Sequence, residues 1–169
     1  MLKVKQLKYK FDKTTFEFNF DLTDNNIVGV IGKSGSGKST LFNLLAGFLK
    51  PNNGSIFLNE NNITYLKPPE RNISILFQDH NNFDHLTIFE NIILGIDPDM
   101  KQNQNNFKIV KNIMKKVSLN IDLNKKVSDL SGGEQQRVSI ARSLLRKKSL
   151  FLLDEPFNSL DPGLRKTLY

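Results

Sequence analysis

Gly32, Lys33, Ser34, Gly35, Ser36, Gly37, Lys38, Ser39 and Thr40 follow one another in an order suited to holding a chain of phosphates. Glycines allow backbone N–H groups to curl around β- and γ-phosphates, Lys38 is long enough to reach the terminal ones, and the Ser39 hydroxyl can enter a Mg²⁺ shell. A second chemically loaded segment is the pair Asp154 and Glu155, placed directly after the apolar run Leu150–Leu153. Neighbouring strand residues point opposite ways, but a chain that turns at the strand end can bring both carboxylates to one site. There Asp154 would hold the Mg²⁺ shell and Glu155 would polarise an attacking water. The third segment runs from Leu130 to Arg137, where Ser131 and Glu134 have the spacing of a capping box around Gly132 and Gly133. Two glycines inside a first helical turn each cost about 1 kcal/mol relative to alanine. They are expected where a backbone must approach something closely, and a helix N-terminus favours an anion.

A phosphate loop works only between a strand and a helix, so its flanks must supply both. Upstream, Ile27–Ile31 reads as a buried parallel strand, nearly unbroken and β-branched. Downstream, Leu41, Leu44, Leu45 and Phe48 fall at helical spacing until Lys50 and Pro51. Ile73–Phe77 reads as an apolar strand and Leu150–Leu153 as a second buried one. Alternation at Leu2 and Val4, then at Phe16, Phe18, Phe20 and Leu22, predicts antiparallel strands with one wet face. Asn52-Asn53-Gly54 reads as a turn into a strand at Ile56–Leu58. Beyond Thr87 the pattern becomes helical. Thr87 and Glu90 form a second capping box, Phe107, Val110, Met114 and Val117 share one helix face, and Val138, Ala141 and Leu145 another.

With these segments in place, the chain resembles the nucleotide-binding subunits of ATP-binding-cassette (ABC) transporters from about residue 1 to its end. The resemblance implies an α/β fold: a P-loop NTPase with a RecA-like parallel core, an antiparallel β subdomain and a helical ABC-specific subdomain. Residues 1–85 and 149–169 would form the core with its β subdomain, and 86–148 the helical subdomain, all within a single ATPase domain. In the family the Leu-Ser-Gly-Gly-Glu-Gln stretch is the signature that touches the γ-phosphate held by the opposite subunit. Carried over, Ser131, Gly132 and Gly133 would be ligands in trans. Gln78 matches the family's Q-loop glutamine, a Mg²⁺ and water contact, and Asp161 in Asn158-Ser159-Leu160-Asp161 matches the D-loop. Phe11 matches the aromatic that stacks on adenine, with Tyr9 the second choice. Phe83, Leu86 and Phe89 are expected near the groove for a permease helix, with ordinary subdomain core the equal alternative.

The resemblance further implies ATP and Mg²⁺ as cofactors and a homodimer closed over two sandwiched ATP. It implies transmembrane permease subunits and, indirectly, a periplasmic solute-binding protein as partners, at the cytoplasmic face of a bacterial inner membrane. Ile75–Thr87 and Phe157–Arg165 are similar to the ATPase subunits of bacterial thiamine importers, although those for ferric iron, sulfate or polyamines share much of the same wording. The family's switch histidine would follow the D-loop and lie past Tyr169, so slowed hydrolysis is expected. His80 and His85 precede the signature and cannot serve.

Composition is consistent with this and excludes little by itself. The 169 residues suit one domain, there is no cysteine, and no apolar run approaches the roughly 18 residues of a membrane span. A reducing, cytosolic setting is the expectation. The net charge of +7 comes from scattered lysines, which read first as a solvated surface. Contact with an anionic leaflet is the functional alternative. A chromosome or DNA-repair ATPase would share the head chemistry. It would carry a long heptad or cysteine-bearing insertion between Lys38 and Ser131, which is absent, and no nucleic-acid partner is expected.

Overall fold

A computed structural model describes residues 1–77 and 82–154. The chain divides into two compact units, 1–73 and 74–169. In the first, β1 (Leu2–Phe11) and β2 (Thr14–Leu22) form a hairpin, followed by α1 (Lys38–Ala46), β3 (Asn53–Leu58) and the short β4 (Asn61–Asn62). The four strands make one antiparallel sheet in the order β2-β1-β3-β4. Its buried face carries Leu2, Val4, Leu7, Ile56 and Leu58, while β2 alternates half-buried Phe16, Phe18, Phe20 and Leu22 with exposed residues. That is the period-two pattern of a sheet wet on one side.

The second unit holds β5 (Ile73–Leu76) from Ser74 onward, α2 (Ile88–Ile93), α3 (Gln104–Lys116), α4 (Gly132–Leu145) and β6 (Leu150–Leu153). β5 and β6 form a two-stranded parallel sheet, and the three helices enclose one apolar core. Ile88, Phe89, Ile92 and Ile93 of α2 meet Val110, Ile113 and Met114 of α3, with Val138, Ala141 and Leu145 of α4 closing it. The apolar stripe read on α3 is this core face: Val110, Met114 and Val117 are buried and Phe107 packs against them. Both capping boxes form. The Glu90 carboxylate accepts from the Thr87 amide at 2.8 Å while the Thr87 hydroxyl accepts from the Glu90 amide at 3.2 Å.

Four expectations are corrected. Ile27–Ile31 is not a buried strand: it runs as irregular chain with Ile27 91% and Ile31 96% exposed. A parallel strand exists only when neighbours pair with its backbone and helices cover its faces, and among the described residues no ladder includes this run. β6 is half-buried at Leu150, Phe151 and Leu152 and exposed at Leu153 rather than buried, since side chains project from the faces of a sheet and are buried only where those faces are covered. Helix α1 ends at Ala46, before Phe48, since Gly47 takes φ +87° and its N–H returns to the Asn43 and Leu44 carbonyls. Gly54 lies within β3 rather than in a turn. At φ +87° it faces a bulge at Gln6, where an added Cβ would sit 2.3 Å from the Gln6 carbonyl oxygen.

Candidate nucleotide site

The phosphate loop hands directly into α1. Gly37 is the N-cap at φ +94°, and Lys38 is the first helical residue. An ordinary N-cap would place a side-chain oxygen over the helix end; Gly37 has none, so the first-turn amides stay open to an incoming anion. No acidic residue lies in that turn to compete. Lys38 folds back over the loop, its Nζ donating to the Gly32 carbonyl at 2.8 Å and the Lys33 carbonyl at 3.0 Å. Loop and ammonium together thus outline a cradle in which those two carbonyls stand where phosphate oxygens would be preferred acceptors. Ser36 closes a tight turn onto Lys33 at 3.2 Å, and the Ser36 hydroxyl packs so closely on Gly32 that a Cβ there would lie 2.6 Å from it. Ser39 is exposed at the helix start.

Phe16 of β2 is a residue that alternation alone marked only as strand. Its ring lies against Gly37, where a Cβ would meet it at 2.6 Å, and it pairs across the hairpin with Tyr9. Phe11 stands at the end of β1, 66% exposed beside the Asp12 turn. The hairpin therefore offers an open ring at Phe11 and a packed one at Phe16.

Arg71, also missed, holds α1 at its other end. It is 2% exposed, and its guanidinium donates to Leu44 (2.7 Å), Leu45 (2.6 Å), Leu66 (2.9 Å) and Thr64 (2.9 Å) carbonyls. Burial lowers its pKa from the ordinary arginine value. Two of the four acceptors belong to the last turn of α1, where unpaired carbonyls and the negative helix end favour a cation. A buried arginine without carboxylate was invisible as such in sequence, although its place after Pro68–Glu70 now reads as the end of the short 3₁₀ turn.

In the second unit, Asp154 follows β6 and its amide donates to Leu76 at 2.9 Å, extending the β5–β6 pairing by one bond. The carboxylate thus sits at the strand end. Ser131 caps α4, with both its amide and its hydroxyl donating to the Glu134 carboxylate at 2.8 Å. Those two bonds hold Glu134 below the usual carboxylate range, first through the Ser131 backbone and then through its hydroxyl, helped by Lys125 and Arg137. Gly132 has open space around its missing side chain. Arg137 fixes the helix by donating to the Val117 and Ser118 carbonyls at the end of α3.

Of the groove aromatics, Phe89 belongs to the core, whereas Phe83 is 48% exposed. Phe83 is clamped by Asn91, which exchanges hydrogen bonds with its backbone at 2.9 and 3.0 Å, and Arg142 lies 5.5 Å from its ring. Gln78, Glu155 and Asp161 lie outside the described residues.

Among the described residues no three His, Cys, Asp or Glu side chains group to cage a metal. Mg²⁺ keeps most of its waters and is held through one or two protein oxygens together with substrate phosphates. Ser39 and Asp154 are oxygen donors of that kind.

The sequence matches the ABC transporter family over residues 16–158. The chain belongs to that family. Being an ABC ATPase subunit, it shares 42% identity over 168 residues with the thiamine import ATP-binding protein ThiQ of Aliivibrio fischeri, covering 99% of this chain and 72% of the relative. It shares 45% over 160 residues with that of Histophilus somni, covering 94% and 75%. Its fold is similar to the ATP-binding cassette MJ0796, solved as a dimer in a post-hydrolysis state bound to ADP and Pi. The TM-score is 0.82 at 28% identity, over 99% of this chain and 79% of the other. A second ABC transporter cassette, MJ1267, matches with TM-score 0.83 at 25% identity, over 99% of this chain and 73% of that one. Among the described residues no helix is long and apolar enough to cross a membrane.

Proposed function

We propose that this chain is the ATP-hydrolysing subunit of an importer, and that the imported solute is thiamine. The observation that carries the nucleotide part is the Gly37–Lys38 junction: an uncapped helix start, free of acidic residues, with an ammonium folded over the loop. The thiamine assignment is supported by relatives 40–46% identical that are named for thiamine import.

In this reading two copies close over two ATP, each triphosphate gripped by the 32–40 loop of one copy and by Ser131, Gly132 and Gly133 of the other. Phe11 would stack on adenine, and Asp161 would couple the two sites. Mg²⁺, held by Ser39, Asp154 and Gln78, would supply charge neutralisation to the phosphates. Lys38 leaves its two carbonyls for β- and γ-oxygens, a stronger charge-assisted pair. Ser131 has one hydroxyl proton, now given to Glu134. Phosphate engagement in trans therefore exchanges that carboxylate for a phosphate oxygen. Glu155 orients the attacking water, and closure acts on a permease through the surface around Phe83. The subunit works peripherally, at the cytoplasmic face of the membrane.

Calorimetry with MgATP tests the first step. The wild-type chain is expected to bind, and Lys38→Ala to lose about 2 kcal/mol, roughly 30-fold; wild-type protein with no affinity overturns the proposal. The dimer is tested by Glu155→Gln, which should accumulate an ATP-dependent dimer in size-exclusion chromatography, whereas a monomer that exchanges nucleotide rapidly argues against Glu155 as the water-orienting group. Uptake of labelled thiamine, against ferric iron, sulfate and polyamines, by cells carrying the cognate permease tests the solute.

A further inference from the structure

None of the residues assigned above to the nucleotide lies on α3. α3 carries Lys108, Lys111, Lys115 and Lys116 and no Asp or Glu. With 3.6 residues per turn, the four fall within roughly 140° of helix arc. All four are exposed, and among the described residues none is in an ion pair. Lys108, Lys111 and Lys115 line one open groove of about 870 Å³, walled opposite by residues 119–124. Asp122 is the one carboxylate among its lining residues.

The helix is a fixed platform for these charges, because Val110, Ile113 and Met114 on its other side are buried in the core. Dipole compensation at a helix C-terminus explains lysines in the last turn, Lys115 and Lys116, but not Lys108 or Lys111. The groove's other polar residues are amides, Gln104, Asn112, Asn120 and Asn124, which donate hydrogen bonds without adding negative charge. Its only aromatic ring, Phe107, is packed on Phe89 at 4.5 Å and so is not offered to a nucleic-acid base. Flexible ammonium groups have no fixed fork to satisfy, which suits a fluid layer of phosphodiesters better than a bidentate partner.

We propose that this lysine face of α3 lies against an anionic phospholipid bilayer, with Lys108, Lys111 and Lys115 beside headgroup phosphates. The inference rests on the peripheral-membrane part of the proposed function and names the surface that makes the contact. Attachment is electrostatic, since the apolar side of the helix is already used by the core. Each lysine near such a surface strengthens partitioning about fivefold, so the three together supply roughly a hundredfold.

Flotation with phosphatidylcholine vesicles containing about one third phosphatidylglycerol, against phosphatidylcholine alone, reads this directly. The whole chain is expected to float with the anionic vesicles only, and to release as salt rises from about 0.1 to about 0.5 M. The triple variant Lys108→Glu, Lys111→Glu, Lys115→Glu should lose binding about a hundredfold or more, and the milder triple glutamine variant about a hundredfold. Charge reversal at Lys10, Lys13 and Lys50 in the other unit should change it far less. No flotation with anionic vesicles, or equal losses in the two charge-reversed triples, overturns the proposal. So does salt-sensitive capture of soluble polyglutamate without vesicle binding, which would make the face a protein-docking site. MgATP affinity, measured on the same variants, stays unchanged and confirms folding. Failure of the wild type to bind nucleotide while it still floats would sink the ATPase reading and leave the lipid surface standing.

Discussion

Lys38, Gly37 and Phe16 form a chain of dependence in which each residue type is constrained by the next. Gly37 is held at φ +94° with the Phe16 ring where its side chain would be. Gly37→Ala therefore meets two costs, about 1–2 kcal/mol for a left-handed alanine and the displacement of the ring. A fall in melting temperature together with weaker MgATP binding is expected, and Phe16→Ala in the same background should recover part of the stability but not the affinity. At the signature helix, Glu134 has a folded-state pKa below its ordinary value of 4.5. A depressed carboxylate stabilises the fold above its unfolded pKa, and the contribution disappears as pH falls through the folded value. Comparing melting temperatures of wild type and Glu134→Gln, the wild-type advantage should be full at neutral pH and shrink only below about 4.5. An advantage that does not shrink at all as pH falls below about 4.5, down to the acid limit of the native state, would mean that Glu134 contributes by packing rather than by charge.

At the scale of elements, α1 is held at both ends by unlike devices: an open glycine cap facing the phosphate cradle and a buried guanidinium gripping its last carbonyls. Arg71→Met keeps the volume and removes the donors, taking a hydrogen bond from the buried Leu45 and Thr64 carbonyls, from the part-buried Leu66 carbonyl, and from the Leu44 carbonyl, which keeps the Gly47 N–H. A loss of about 3 kcal/mol in denaturant unfolding is expected. MgATP affinity of the folded fraction should weaken as well, since the helix that presents Lys38 loses its anchor. This anchor also marks the limit of what could be read from sequence. Capping boxes at Thr87 and Ser131 and the α3 stripe were legible because their causes are local: a side chain three residues from its acceptor, or an apolar face repeating every turn. The phosphate loop was legible for the same reason. Arg71, Phe16 and the Gly54–Gln6 bulge were not, since each is defined by a contact from a distant strand or helix. Gly47 is a local signal of the same kind as the capping boxes, since a glycine at the end of an apolar stripe ends the helix in a left-handed cap before Pro51 is reached. Ile27–Ile31 had strand composition, but composition does not supply the neighbours that turn a run into a ladder.

For the whole molecule, the consequence of that last point is a hydrophobic ridge. Ile27, Val28, Val30 and Ile31 are each more than half exposed within five consecutive residues, while the sheet of the same unit buries Leu2, Val4 and Ile56 completely or nearly so. Scattered apolar residues on a surface are ordinary, but a contiguous apolar patch on a folded protein signals association. The run is also rich in β-branched residues and carries no charge, the composition that pairs with another chain's backbone when its own is unpaired. Concentration-dependent self-association is therefore expected without nucleotide, visible in sedimentation velocity and as binding of an apolar dye. It differs from the ATP-dependent dimer in being insensitive to Lys38→Ala and in weakening on cooling, as apolar contacts do. The double variant Ile27→Ser and Ile31→Ser removes the two most exposed side chains while leaving the α1 junction untouched. It should abolish dye binding and self-association with a change in melting temperature within about 0.5 kcal/mol equivalent, the usual range for surface sites. A large destabilisation instead would show that these isoleucines are covered in solution, and that the run is a core strand after all.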